Sequence, residues 1–195
     1  MILLLNLKGR TDMATADTKL MTALEFATLD IEAPVELVRG EVIEVSRPGM
    51  RHGVICKNLI FEMESWVRRT STPCLVVSDS GILTERDPDT VRGPDVYIIQ
   101  RERLPPQGIT PGFLDVSPDL CVEVFSPHDL WKDVIAEVDE YLQAGVREVW
   151  VIEPNEQQVY VYRPDGAPRT LGLGETVTST ALAGLQLQVT EIFRA

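Results

Sequence analysis

Lysine is scarce in this chain. Of 18 basic residues only four are lysine (Lys8, Lys19, Lys57 and Lys132), and against 30 Asp and Glu they leave a net charge of -12. Such a chain has no overall field to attract a polyanion, because phosphate binding needs Lys and Arg to release counterions. A nucleic-acid role must therefore rest on a local basic patch or on metal ions. Cysteine is sparse as well. Cys56, Cys74 and Cys121 form no CxxC pair and no zinc-finger spacing, and they read as reduced core thiols of a cytosolic protein. Long apolar runs are missing. The opening "MILLLNLKGR" turns polar too soon for a signal-peptide core, and no stretch approaches the ~18 apolar residues of a membrane span. The expectation is a soluble, cytoplasmic protein with no membrane partner.

What is present suits one α/β domain. Hydrophobic residues are 44% and charged residues 25%, ordinary values for a chain with a sizeable core. Met13 opens "MATADTKLMTALEF", which reads as a natural beginning, so residues 1–18 are expected to be a disordered extension and 19–195 a single domain. "TALE" at 22–25 is a capping box, predicting a short helix to about Leu29. "VELVRGEVIEVS" gives two alternating runs around Arg39-Gly40, a hairpin signal. In "RHGVICKNLIFEMESWVRR" apolar residues recur at helical spacing. "CLVVSDSGIL" reads as one strand, "GPDVYIIQ" as another, and the proline-rich 101–118 as a loop. "DLCVEVFS" is a buried strand, followed by a helix in "DLWKDVIAEVDEYLQAG" closed by Gly145. "REVWVIEP" and "QQVYVYRP" are strands joined at Asn155-Glu156, and the tail reads as short strand pieces ending near "EIF".

Two strands carry one carboxylate each in apolar surroundings: Asp95 after Pro94, and Glu123 inside "LCVEVF". A buried carboxylate costs several kcal/mol unless something pairs with it. Should the two strands be neighbours, the carboxylates would face one another at ~5 Å and repel. A shared divalent cation resolves that conflict. The alternative is an ion pair with an arginine such as Arg92 or Arg147.

The series "ELVRGEVIEVSRPG", "RHGVICKNL", "GPDVYII", "SPDLCVEVFSP" and "EYLQAGVREVWVIEP" resembles the Uma-two family of restriction-endonuclease-like proteins, over roughly residues 20–192. The resemblance implies the fold of the PD-(D/E)XK nucleases: a central mixed β-sheet flanked by helices, here with an N-terminal β-hairpin and helix. It also implies Mg²⁺ or Mn²⁺ (one or two ions) held by Asp95 and Glu123, DNA as substrate, and a homodimer. Glu41, His52 and His128 fall near the implied site. Such nucleases usually add a lysine beside the metal. At the usual position two residues after the glutamate stands Phe125, and at the helical position the family uses instead stands Glu137. Lys132 is the substitute to consider, although five residues turn a helix by about 500°, leaving it ~140° away from Glu137. Catalysis through Asp95, Glu123, Lys132 and Glu137 is thus expected to be weak or absent, with a non-catalytic binding protein as the alternative. Arg51, Lys57, Arg68 and Arg69 make the early helix the most basic element, the place for phosphate contacts by Arg51 and Lys57.

Overall fold

The computed structural model describes residues 20–109, 111–127 and 129–195. The expected N-terminal extension and His128 lie outside the described residues.

Thr22 caps α1 (Ala23–Phe26) with both hydrogen bonds of the capping box. The helix ends three residues before the expected Leu29, in a hydrogen-bonded turn through Ala27 and Thr28. β1 (Val35–Val38) and β2 (Glu41–Glu44) form the predicted hairpin. Both central turn residues have positive φ, Arg39 at 50° and Gly40 at 78°, as the twist of a two-residue hairpin requires. α2 (Met50–Thr70) buries Ile55, Leu59, Met63 and Trp66 along one stripe.

"CLVVSDSGIL" is not one strand. It breaks at Asp79, whose φ is 50°, into β3 (Cys74–Ser78) and β4 (Ile82–Glu85), which join different sheets. A three-residue β5 (Thr90–Arg92) pairs with β4 and β1. β6 (Val96–Gln100) leads through a single 3-10 turn into the expected loop, and β7 (Leu120–Val124) returns antiparallel to it. α3 (Trp131–Gln143) then crosses over to β8 (Glu148–Glu153), which lies parallel to β7. Gly145, at φ 99°, lets the chain leave α3, its N–H reaching the Leu142 carbonyl while the Val146 N–H reaches that of Tyr141. β9 (Gln158–Tyr162), β10 (Arg169–Leu171), β11 (Thr176–Thr178), β12 (Gln186–Gln188) and the short α4 (Val189–Ile192) complete the described chain.

The central sheet is mixed and six-stranded, ordered β10-β9-β8-β7-β6-β3. Alternation in its strands separates two cores. Val122, Val124, Trp150 and Ile152 face α2 and the C-terminal tail, whereas Cys121, Val149 and Val151 face α3. Glu123, one position from Val122 and Val124, therefore points to the α3 side. A second, four-stranded sheet, β2-β1-β5-β4, packs Leu37 and Val91 against Phe26 of α1. β2 is its outer strand, with all four residues exposed.

One buried polar node fixes the far end of the central sheet. Glu148 is fully buried and accepts from Trp150 Nε1 (2.6 Å), Arg163 Nε (2.8 Å), the Thr180 amide (3.1 Å) and the Thr180 hydroxyl (2.8 Å). Removing the acceptor strands four donors at once. Glu148→Ala is expected to cost about 3–5 kcal/mol, the scale for breaking a buried charge pair. Urea unfolding checks this, and a loss below ~1 kcal/mol would show the node to be dispensable.

Candidate metal-binding cleft

The register of β6 and β7 sets the site. Val96 opposes Val122, so the next pair outward is Asp95 with Glu123. Both line a cleft of about 410 Å³, together with Glu36, Glu44, Asp129, Asp133 and Glu137. Among the described residues no Lys or Arg lines it. From α3 come Asp133, Val134 and Glu137, spaced to share one face of the helix, and Tyr141 continues that stripe a turn later.

Asp95 is held through one oxygen. Its Oδ2 accepts the Val124 amide at 2.7 Å and lies 3.1 Å from His52 Nε2. Oδ1 makes no hydrogen bond among the described residues. His52 is buried in the first turn of α2, and its Nδ1 sits 3.4 Å from Cys56 Sγ, one turn on. Burial pulls the His52 imidazolium down, but the Asp95 hydrogen bond and the Asp95 and Asp129 charges outweigh it, and the net shift is upward. Burial, with the charges of Asp95 and Glu123, pushes the Cys56 thiol up to about 12.

Among the described residues Glu123 meets no cation. The Tyr141 hydroxyl lies 2.7 Å from Glu123 Oε1 and 2.9 Å from Glu137 Oε1. A phenol has one proton to donate, so both contacts are hydrogen bonds only when a carboxyl also carries a proton. The electrostatics agree. Burial, then the charges of Glu137 and Asp95, lift Glu123 well above the usual carboxylate range. Burial and Glu36 raise Glu137 to about 7, against the pull of Arg92. The arginines considered as partners are engaged elsewhere. Arg92 binds Glu36 (2.8 Å) and Glu140 (2.9 Å), while Arg147 binds Asp119 (2.9 Å).

The other sequence candidates are scattered. Lys132 is exposed, 3.8 Å from Asp133 Oδ1, and outside the cleft lining. Glu41 is exposed on β2, also outside it. Arg51 is tied to Asn155 Oδ1 (3.2 Å) and to the Pro154 carbonyl in the β8–β9 turn. Lys57 lines a second cavity, of about 1040 Å³, which shares His52 and Asp95 with the cleft. Arg68 pairs with Glu64. In the sequence Glu36 and Asp129 carry no signal of their own, Cys56 reads as a core thiol, and the ring of Tyr141 reads as core packing. The four-residue spacings His52–Cys56 and Glu137–Tyr141 were the available signals, since such pairs meet on a helix.

The donor set fits a hard divalent cation. It consists of carboxylate oxygens lining one cleft, two of them from neighbouring strands, with a half-buried Glu123 that lacks any counter-charge among the described residues.

No curated protein matches the chain. A solved structure, described as that of "a putative nuclease belonging to DUF820 from Anabaena variabilis", matches with a TM-score of 0.77 at 23% identity, covering 89% of this chain and 97% of that one. At that identity the likeness establishes the fold, which is restriction-endonuclease-like. The model of the Uma2 family, described as "Putative restriction endonuclease", matches residues 24–190, nearly all of the described chain, and the protein belongs to that family.

Proposed function

We propose that the cleft takes up one or two Mg²⁺ or Mn²⁺ ions and that the protein hydrolyses phosphodiester bonds in DNA, slowly. The observation that carries this reading is that Asp95 and a half-buried Glu123, from neighbouring strands, line one cleft with no cation beside Glu123 among the described residues. Asp95 would hold the ion through Oδ1, its other oxygen being fixed by the Val124 amide and His52. Glu123 would hold it from the α3 side, steadied by Tyr141. When bound, the ion supplies a water of lowered pKa and stabilises charge on phosphorus. Glu137 occupies the place where an ammonium would add further stabilisation, and its carboxylate subtracts from it. Lys57, which with Arg47 and Arg68 lines the adjoining cavity, is the basic residue this reading assigns to phosphate contact. The same reading takes the protein as a cytoplasmic homodimer, supported by the family resemblance, and a monomer in light scattering would remove the dimer.

A second reading, a non-catalytic binding protein on the same fold, is favoured by one observation, the absence of Lys and Arg among the described residues that line the cleft. Nicking of a supercoiled plasmid in Mn²⁺ separates the two. We expect slow nicking by the wild type and a loss of at least about a hundredfold in Asp95→Asn, the scale for removing a group that stabilises transition-state charge. Cleavage that survives Asp95→Asn would overturn the site. An inert wild type that still binds Mn²⁺ would put the second reading ahead.

A further inference from the structure

Asp95 stands between two cavities of different chemistry. The cleft adds carboxylate oxygens to the imidazole of His52, which lines both cavities. On the α2 side, in the wall of the 1040 Å³ cavity, the donors around Asp95 are an imidazole and a thiol. We infer that His52, Cys56 and Asp95 form a second metal site, selective for a borderline-soft divalent ion of the zinc type.

The geometry comes from the helix. His52 and Cys56, four residues apart on α2, project side by side, and the chain entering β6 brings Asp95 against them. One donor atom from each residue lies within 4.8 Å of the other two. A tetrahedral zinc with Zn–N near 2.0–2.1 Å and Zn–S near 2.3 Å sets its N and S ligands about 3.6 Å apart. His52 Nδ1 and Cys56 Sγ are 3.4 Å apart, so they are already spaced to share an ion. In this arrangement Nε2–H donates to Asp95 at 3.1 Å, the carboxylate–histidine pairing that orients metal-bound imidazoles. Asp95 thereby orients the imidazole from its far edge, and water from the cavity would fill the remaining positions around the ion.

The same three residues in line, Cys–His–Asp, also have the order of a nucleophilic triad. The surroundings argue against that use: with the thiol pushed up to about 12, Cys56 keeps its proton at neutral pH and is a poor nucleophile. A metal ion reverses the balance. On loading, the S–H bond breaks, the metal–sulfur bond forms, and the proton leaves to solvent with no change of oxidation state. Sulfur and nitrogen donors select zinc-like ions over Mg²⁺.

Cobalt(II), a spectroscopic stand-in for zinc, tests the site in the full chain. We expect a thiolate-to-cobalt charge-transfer band in the wild type, displaced by Zn²⁺, lost in Cys56→Ser and kept in Glu123→Gln. Zn²⁺ affinity should fall at least tenfold in Cys56→Ser, while the rise in melting temperature with Mn²⁺ persists in that variant and shows it folded. No band in the wild type, or a band that survives Cys56→Ser, would overturn the assignment. A band without any Mn²⁺ effect would leave this site standing and remove the oxygen-liganded one.

Discussion

Replacing Glu137 by lysine should speed metal-dependent nicking roughly 10- to 100-fold, toward the range that a single well-placed charge-stabilising group provides. Glu137 lies on the face of α3 that lines the cleft, one turn before Tyr141, and is nearly buried. A lysine there gains from its neighbours. Burial and the nearby Arg92 disfavour an ammonium, but the charges of Glu36 and Glu140 favour it, and it would draw the proton off Glu123 to gain a third. Glu137→Gln supplies the control, since it removes the anion without adding a cation. If Glu137→Lys is no faster than Glu137→Gln, the missing ammonium does not limit the reaction. If both remain inert, the binding-protein reading gains.

Without metal, stability should fall as pH rises from about 4.5 to 7, and Mn²⁺ should restore more of it the higher the pH. Glu137 titrates at about 7 in the folded chain against 4.5 for the free side chain. Between those values the folded state keeps a proton that the unfolded state has released. The associated stability is complete below 4.5 and gone above 7. The upward shift of Glu123 acts in the same direction. His52 does too, since its raised value gives stability below 6.5 that is lost as pH rises through the folded value. A divalent ion competes with these protons. The rise in melting temperature with Mn²⁺ should therefore be small near pH ~5, large near pH ~8, and absent in Asp95→Asn. Glu137→Gln should flatten the metal-free profile. A Mn²⁺ effect that is indifferent to pH, or that survives Asp95→Asn, would contradict the site.

The pairing of Asp95 with Glu123 was legible because an apolar strand interrupted by a single acid is anomalous, and because two such strands close in sequence readily become neighbours. Gly145 and the Arg39-Gly40 turn were legible because few residues tolerate their backbone angles. The break at Asp79 was not. Both halves of "CLVVSDSGIL" are apolar, and alternation within a strand does not reveal which sheet it joins. Tyr141 was hidden by its own body: a buried aromatic ring reads as packing, whereas its role here lies in the hydroxyl at its tip. Cys56 was hidden similarly, since a thiol on a helix facing the core looks like any small apolar residue until Asp95 arrives from a distant strand.

The outer strand β2 carries a consequence for how copies of this chain can meet. Its edge has no strand beside it among the described residues, and Val42 and Ile43 are exposed on it. That combination invites another chain to continue the sheet. Symmetric antiparallel addition of a second β2, however, sets Glu41 opposite the partner's Glu44, and Glu44 opposite its Glu41. Like charges so placed oppose the pairing. The two glutamates thus guard the edge against templated growth into fibres, while the apolar pair between them stays exposed.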